Sequence, residues 1–298
     1  MSVIVAERLT KRYGQRVGID GLDLTVGEGT VFGFLGPNGS GKTTTIRLLI
    51  GLLRATAGVG RVFGLDCWNA SHRIKHDIGY VPGDLRLYRW LNCDRALRIL
   101  SMVRGRNLTT PGRRLAEAFE LDPTVAVRHM SRGMRQKLGL VLALVHEPRL
   151  LILDEPSTGL DPLMQDRLYT QLRALAAKGH TVFFSTHTLS EVELLCDRLA
   201  ILREGRVVEA DSVQNLRSRA ARAVSIRWAT SVEPQSIRPP SFLYVLQRNG
   251  REWRATLAGP TLPLVQWCAA QPIEDLAIES PDLTGLFRSY YRDRGAAG

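Results

Sequence analysis

Cysteine is sparse: 298 residues hold four, at positions 67, 93, 196 and 268. They form no CxxC pair and no Cys/His cluster at metal-ligand spacing. Zinc modules and disulfide scaffolds are thereby excluded, and reduced structural thiols in a cytoplasmic setting are expected. No uninterrupted apolar run approaches the roughly 18 residues needed to cross a bilayer. The opening stretch MSVIVAERLTKRYG carries charge where a signal peptide needs its apolar region. The expectation is a chain that neither spans a membrane nor enters the secretory route by its own sequence. Repeats and low-complexity tracts are missing as well. Lysine is scarce, since 35 of the 40 basic residues are arginine.

With 44% hydrophobic and 23% charged content, the chain is long enough for one large domain or two modest ones. The net charge of +11 is unevenly placed. Residues 84–137 hold 12 Arg/Lys against 5 Asp/Glu, and residues 217–294 hold 11 against 7. Such an excess suits nucleic acid, an anionic membrane surface or plain solubility.

Three β-like segments, SVIVAERL, GLDLTV and TVFGFL, lead into residues 36–45, GPNGSGKTTT, and the helix-like TTTIRLLIGLL follows. After the turn-rich ATAGVGRVFG comes the strand-like HDIGYVP. A helical insertion over roughly 84–145 follows, with apolar positions at helical spacing. The β/α alternation then resumes with RLLILDE, a helix ending at Gly179, TVFFSTH and LSEVELLCDRL, and two short strands close the unit near residue 212. From about residue 222 a small α/β appendix is expected, joined by a linker near SRAARA.

The stretch at 36–43 fits G-x-x-x-x-G-K-[ST], between a strand and a helix. Glycines let successive N–H groups point inward, and the helix start adds its partial positive charge. Gly36, Pro37, Asn38, Gly39, Ser40, Gly41, Lys42, Thr43 and Thr44 are therefore the candidate phosphate cradle. Lys42 is expected on the β- and γ-phosphates and Thr43 on Mg2+. In LLILDEP, Asp154 and Glu155 follow a buried-type strand; Asp154 suits the Mg2+ environment and Glu155 a general base for the attacking water. Further upstream, HMSRGMRQKLGLVLAL puts Ser131 and Gly133 at the mouth of an apolar helix, a second anion site.

The order GPNGSGKT, MSRGM, LLILDEP, STGLD and strand-terminal STH resembles an ATP-binding cassette (ABC) ATPase subunit over roughly residues 3–215. The resemblance implies an α/β P-loop NTPase fold with an antiparallel β subdomain, a parallel-sheet core, a helical insertion and a small C-terminal α/β domain. The implied division is an ATPase domain at 1–216 and a regulatory or dimerisation domain at 222–298. It implies ATP and Mg2+ as ligands, with two copies closing head to tail on two nucleotides. Ser131, Arg132, Gly133 and Met134 would form the signature presented in trans, with Arg132 standing where the family carries glycine. Tyr13 matches the aromatic that stacks on adenine, His187 the switch histidine on the γ-phosphate, and Ser157, Gly159 and Asp161 the loop coupling the two sites.

The family pattern places a glutamine after HDIGYVP, where this chain has Gly83. Either Asp84 or a water takes that polar role, or metal coupling is weaker. The implied work is drug, antibiotic or lipid export as a homodimer on a separate integral membrane permease, docked through the region after Gly83. No nucleic acid is expected. Localisation is expected on the inner face of the cell membrane, with anionic headgroups favouring the basic segment. The tail IEDLAIESPDLTGLF is similar to that of drug- and lipid-exporting members. Two other readings are a soluble ABC ATPase acting on DNA or ribosomes, and a nucleotide sensor without turnover. The first lacks coiled-coil arms, zinc cysteines or tandem cassettes; the second is disfavoured by Glu155 and His187.

Overall fold

The computed structural model of the chain describes residues 1–231, 233–257 and 259–281, and beyond them Leu283, Gly285 and Phe287. Two compact units are present, Met1–Asp211 and Ser212–Gly298.

In the first unit, alternating apolar residues bury one face of β1 (Ser2–Tyr13) and β2 (Arg16–Gly27), which pair antiparallel. Every residue of β3 (Val31–Leu35) is buried, as a strand inside a covered parallel sheet must be. Then come α1 (Lys42–Leu49), β4 (Ala57–Val62), β5 (Leu65–Asp66), α2 (Ser71–His76), β6 (Ile78–Val81), α3 (Cys93–Arg104), α4 (Thr109–Ala118) and α5 (Arg132–Leu144). The unit continues with β7 (Leu150–Asp154), α6 (Pro162–Ala177), β8 (Thr181–Thr186), α7 (Leu189–Leu195), β9 (Arg198–Arg203) and β10 (Arg206–Ser212). One sheet runs β2-β1-β4-β5; the other runs β10-β9-β3-β8-β7-β6. From β9 to β6 every pairing is parallel, so their carboxyl ends share one edge, where open α/β sheets bind ligands. The two sheets enclose α1 in a common core that includes Ile4, Leu22, Phe34, Ile46, Leu49 and Phe183.

Two stretches differ from the sequence reading. ATAGVGRVFG, expected as turn, contains β4, which pairs antiparallel with β1. Its glycines hid it. Gly58 has φ +75° and a Cβ there would stand 2.1 Å from the Arg8 carbonyl oxygen, so this bulge in the β1–β4 pairing accepts only glycine. The helical insertion starts at Cys93 rather than near residue 84. In the irregular segment before it, Leu85 packs into space left by Gly139 of α5, where a Cβ would meet Leu85 Cδ2 at 2.6 Å. The segment after Gly83 is thereby attached to the helix headed by Ser131. Among the described residues, no helix is long and apolar enough to cross a membrane.

The second unit contains α8 (Val213–Arg219), β11 (Arg222–Trp228), β12 (Leu243–Asn249), β13 (Glu252–Leu257), α9 (Thr261–Ala269) and β14 (Ile273–Pro281). Its antiparallel sheet runs β12-β13-β11-β14. Trp228 and Trp253 are fully buried and meet edge to face with centroids 4.9 Å apart, a geometry aromatic pairs prefer. The expected linker near SRAARA is instead the end of α8 and the start of β11. IEDLAIESP forms β14; of LTGLF only Leu283, Gly285 and Phe287 are described, and the expected final RSYYRD lies outside the described residues.

Gly79 of β6 touches α5 so closely that a Cβ would stand 2.3 Å from the Ala143 carbonyl oxygen. Gly79→Ala is expected to lower stability of the first unit by about 1–3 kcal/mol, as overpacking does, measured as a shift of its urea unfolding midpoint.

Candidate active site

The loop after β3 enters α1 through Gly41, whose φ of +110° only glycine adopts without strain and whose Cβ would meet Gly18 O at 2.8 Å. No side chain caps the first turn of α1, leaving main-chain donors for an anion. Lys42 is buried, and its Nζ donates to the carbonyl oxygens of Gly36 (2.7 Å) and Pro37 (3.2 Å) and pairs with Glu155 Oε1 at 3.2 Å. The loop's remaining expected members lie around it: Gly39 has φ +81°, and the Ser40 hydroxyl is buried without a hydrogen-bond partner. Asn38, Gly39, Gly41, Lys42, Thr43, Thr44, Tyr13 and Glu155 line one cavity of about 450 Å3.

Asp154, at the end of β7, is 2% exposed. Its carboxylate accepts from Ser185 Oγ of β8 at 2.5 Å and from Thr43 Oγ1 of α1 at 2.7 Å. Three neighbouring elements are tied at one carboxyl group. Glu155 follows in a left-handed conformation, φ +50°, a strain of about 1–3 kcal/mol that concentrates at functional positions. Its N–H donates to the Ser185 carbonyl oxygen at 3.1 Å, which directs the carboxylate between Lys42 and His187; Nδ1 of His187 lies 3.4 Å from Oε2. The His187 turn is braced by the Thr188 N–H donating to Thr186 Oγ1 at 2.9 Å, by Thr186 Oγ1 donating to Glu191, and by Tyr169 donating to Glu191 at 3.0 Å. Burial, with the Glu191 charge beside it, pushes the Tyr169 phenol up, so it remains a donor.

Thr43 and Asp154 also border a second cavity of about 290 Å3 with Arg47, Tyr80, Pro82, Gly83, Asp84 and Glu155. A Cβ on Gly83 would stand 3.5 Å from Asp154 Oδ2, so position 83 faces the carboxylate directly. Asp84 is 74% exposed and paired with Arg86 at 2.9 Å. Burial, then the Asp154 charge, pushes the Tyr80 phenol up to about 12. One hydroxyl and one carboxylate fit Mg2+, which takes one or two protein oxygens and completes its shell with phosphate and water.

Ser131, Arg132, Gly133 and Met134 line no part of the nucleotide-sized cavity. Ser131 caps α5, its Oγ accepting from the Met134 N–H at 3.2 Å. Gly133 rests on the loop 157–161, since a Cβ there would meet Gly159 O at 2.6 Å. Ser157 is buried, and Asp161 caps α6 by accepting from the Met164 N–H at 3.0 Å. The expected residues therefore fall into two groups within one chain.

Arg16, Val17, Gly18 and Arg47 also line the larger cavity and were not singled out from the sequence. Arg47 stands four residues after Thr43, the same helix face, a usable signal. Arg16 sits opposite Tyr13 across the β1–β2 pair, which only the register reveals. Gly18 seats the Tyr13 ring: a Cβ would approach Cε2 to 2.9 Å. Gly18→Ala is expected to displace that ring and weaken binding of an adenine nucleotide by up to about 1–3 kcal/mol, the size of a stacking contact, read by calorimetric titration. Ser185→Ala, which strips a donor from buried Asp154, is expected to cost about 1–3 kcal/mol of stability, read by thermal unfolding.

Residues 19–158 match the family model described as ABC transporter. The chain is 35% identical over 225 residues to the "Probable multidrug ABC transporter ATP-binding protein YbhF" of Escherichia coli (strain K12), covering 74% of this chain and 39% of that protein, so it spans about two fifths of that relative. It is 36% identical to the bacitracin transport ATP-binding protein BcrA of Bacillus licheniformis, over 73% of this chain and 72% of the relative. A solved ATP-binding subunit of an ABC transporter superposes with a TM-score of 0.66 at 30% identity, covering 72% of this chain and 92% of that one. With the phosphate loop, the Asp154–Glu155 pair and the Ser131-headed helix in this arrangement, the chain belongs to the ABC transporter family, among its ATP-binding proteins.

Proposed function

We propose that this chain is the ATP-hydrolysing motor subunit of an ABC exporter, acting as a homodimer on a separate membrane permease that moves a drug, antibiotic or lipid. The observation that carries the reading is the division of the site. Lys42, Thr43 and Glu155 line one cavity, with Asp154 bonded to Thr43 and His187 beside Glu155. The Ser131–Met134 helix start lines no part of that cavity and, among the described residues, shares no hydrogen bond or ion pair with this group. A second copy, turned head to tail, completes the site.

In this reading Tyr13 stacks on adenine and the loop amides with Lys42 take the phosphates. Thr43 and Asp154 hold Mg2+, which neutralises charge on the phosphates when bound. Phosphate claims Lys42 and frees Glu155 to orient and deprotonate water, with His187 fixing that carboxylate. Ser131 and the Gly133 N–H of the second copy close over the γ-phosphate, and Ser157, Gly159 and Asp161 link the two sites. Asp84 borders the metal-side cavity next to Gly83 and would take the polar role that the family gives to glutamine.

Closure moves α5, and Leu85 lodged against Gly139 passes that motion to the segment carrying exposed Tyr88 and Trp90, where the permease docks. The basic residues of 84–137 then favour an anionic inner membrane surface. Domains 1–216 and 222–298 divide the work, the second serving regulation or dimerisation.

Phosphate release by the purified chain, alone and with membranes holding its permease, tests this. Glu155→Gln is expected to lower turnover at least about 100-fold, the contribution of general base catalysis, and to trap an ATP-bound dimer that co-purifies with the permease. A variant that still turns over at the parent rate, or a saturated protein that stays monomeric beside its permease, overturns the reading.

A further inference from the structure

Arg132 occupies the first turn of α5 on an exposed surface, yet its stem is held. A methyl group built on Gly159 would stand 3.5 Å from both Cγ and Cδ of Arg132 and 3.8 Å from Nε. Gly159 has φ +83°, which excludes most side chains, so the loop 157–161 presents bare backbone at its apex. The arginine methylenes thus run alongside the open Cα face of Gly159, at the distance where a side chain there would just touch them. Gly133 lies against the Gly159 carbonyl oxygen, which a Cβ there would meet at 2.6 Å, and Gln136 Nε2 donates to the Pro156 carbonyl oxygen at 3.0 Å, so the helix start and the loop also meet at these two points. Among the described residues no ion pair holds the Arg132 guanidinium.

We infer that Arg132 is a positioning residue whose hydrocarbon stem, not its charge, clamps loop 157–161 onto the start of the signature helix. The anion-binding turn and the coupling loop then meet the second copy as one rigid piece. A rigid piece loses less freedom on closure, so less nucleotide binding energy is needed to close the dimer. The inference rests on the trans-dimer reading above for its consequence, but the clamp itself exists in a single chain.

Two measurements on the full chain separate these levels, each with Arg132→Ala, Arg132→Met and Arg132→Lys. Hydrogen exchange in the nucleotide-free protein reads the Thr158 and Leu160 amides, which donate to Glu155 O (3.2 Å) and Ser157 O (3.0 Å). Arg132→Ala is expected to speed their exchange roughly tenfold, the scale of one lost neighbour contact, while Met and Lys restore protection. In the Glu155→Gln background, light scattering reads the ATP concentration for half-maximal dimerisation. Alanine is expected to raise it about tenfold with ADP affinity unchanged, and methionine to return it to the parent value. The clamp is overturned if methionine behaves as alanine in the exchange measurement, or if alanine exchanges as the parent does. Restoration of dimerisation by lysine but not methionine assigns the role to charge and also overturns it. A parent that never dimerises refutes the trans reading alone, and the exchange result still decides the clamp.

Discussion

The Asp154 carboxylate carries the architecture of the site. Two hydroxyls, Thr43 from α1 and Ser185 from β8, donate to it, and it sits at the end of β7 with almost no exposure. A buried carboxylate is stable only with its acceptors satisfied, so these bonds fix the phosphate loop, the Glu155 turn and the His187 turn relative to one another. In the proposed reading the same group also meets the metal. A structural requirement of the fold and a chemical requirement of phosphate binding thus meet in one side chain.

Glycine does a comparable job by absence. Gly41 lets the loop turn against Gly18, Gly18 makes room for Tyr13, Gly133 lets α5 settle on Gly159, and Gly139 admits Leu85. Each is a close approach at which a Cβ would force elements apart. The links from Leu85 to α5, and from α5 to loop 157–161, are such contacts. Packed elements of this kind move as bodies rather than deform, as the proposed motor role would require.

Lys42, Glu155 and His187 hold one another. The lysine is satisfied by loop carbonyls and by Glu155, so the group expected to meet phosphate and the group expected to act as base hold each other. In the proposed reading, phosphate competes for the lysine and so frees the base. The left-handed Glu155, φ +50°, is held in that strained conformation by its N–H bond to Ser185 and by Lys42 and His187 at its carboxylate.

Much of this was legible along the chain because it is local. The phosphate loop is nine consecutive residues between a buried strand and a helix, and LLILDEP marks a strand end by its own apolar run. By contrast β4 was hidden by its glycines, whose role depends on Arg8 of another strand. Arg16 and Gly18 belong to the cavity only through the β1–β2 register, and α8 with β11 consumed what looked like a linker. The amino-acid sequence by itself marked the stretch expected to hold phosphate, because main-chain donors and their glycines must be adjacent. Only the tertiary structure decided that Ser131 and Lys42 line no common cavity in one copy and that Arg132 lies on Gly159, because long-range packing joins residues whose spacing carries no period.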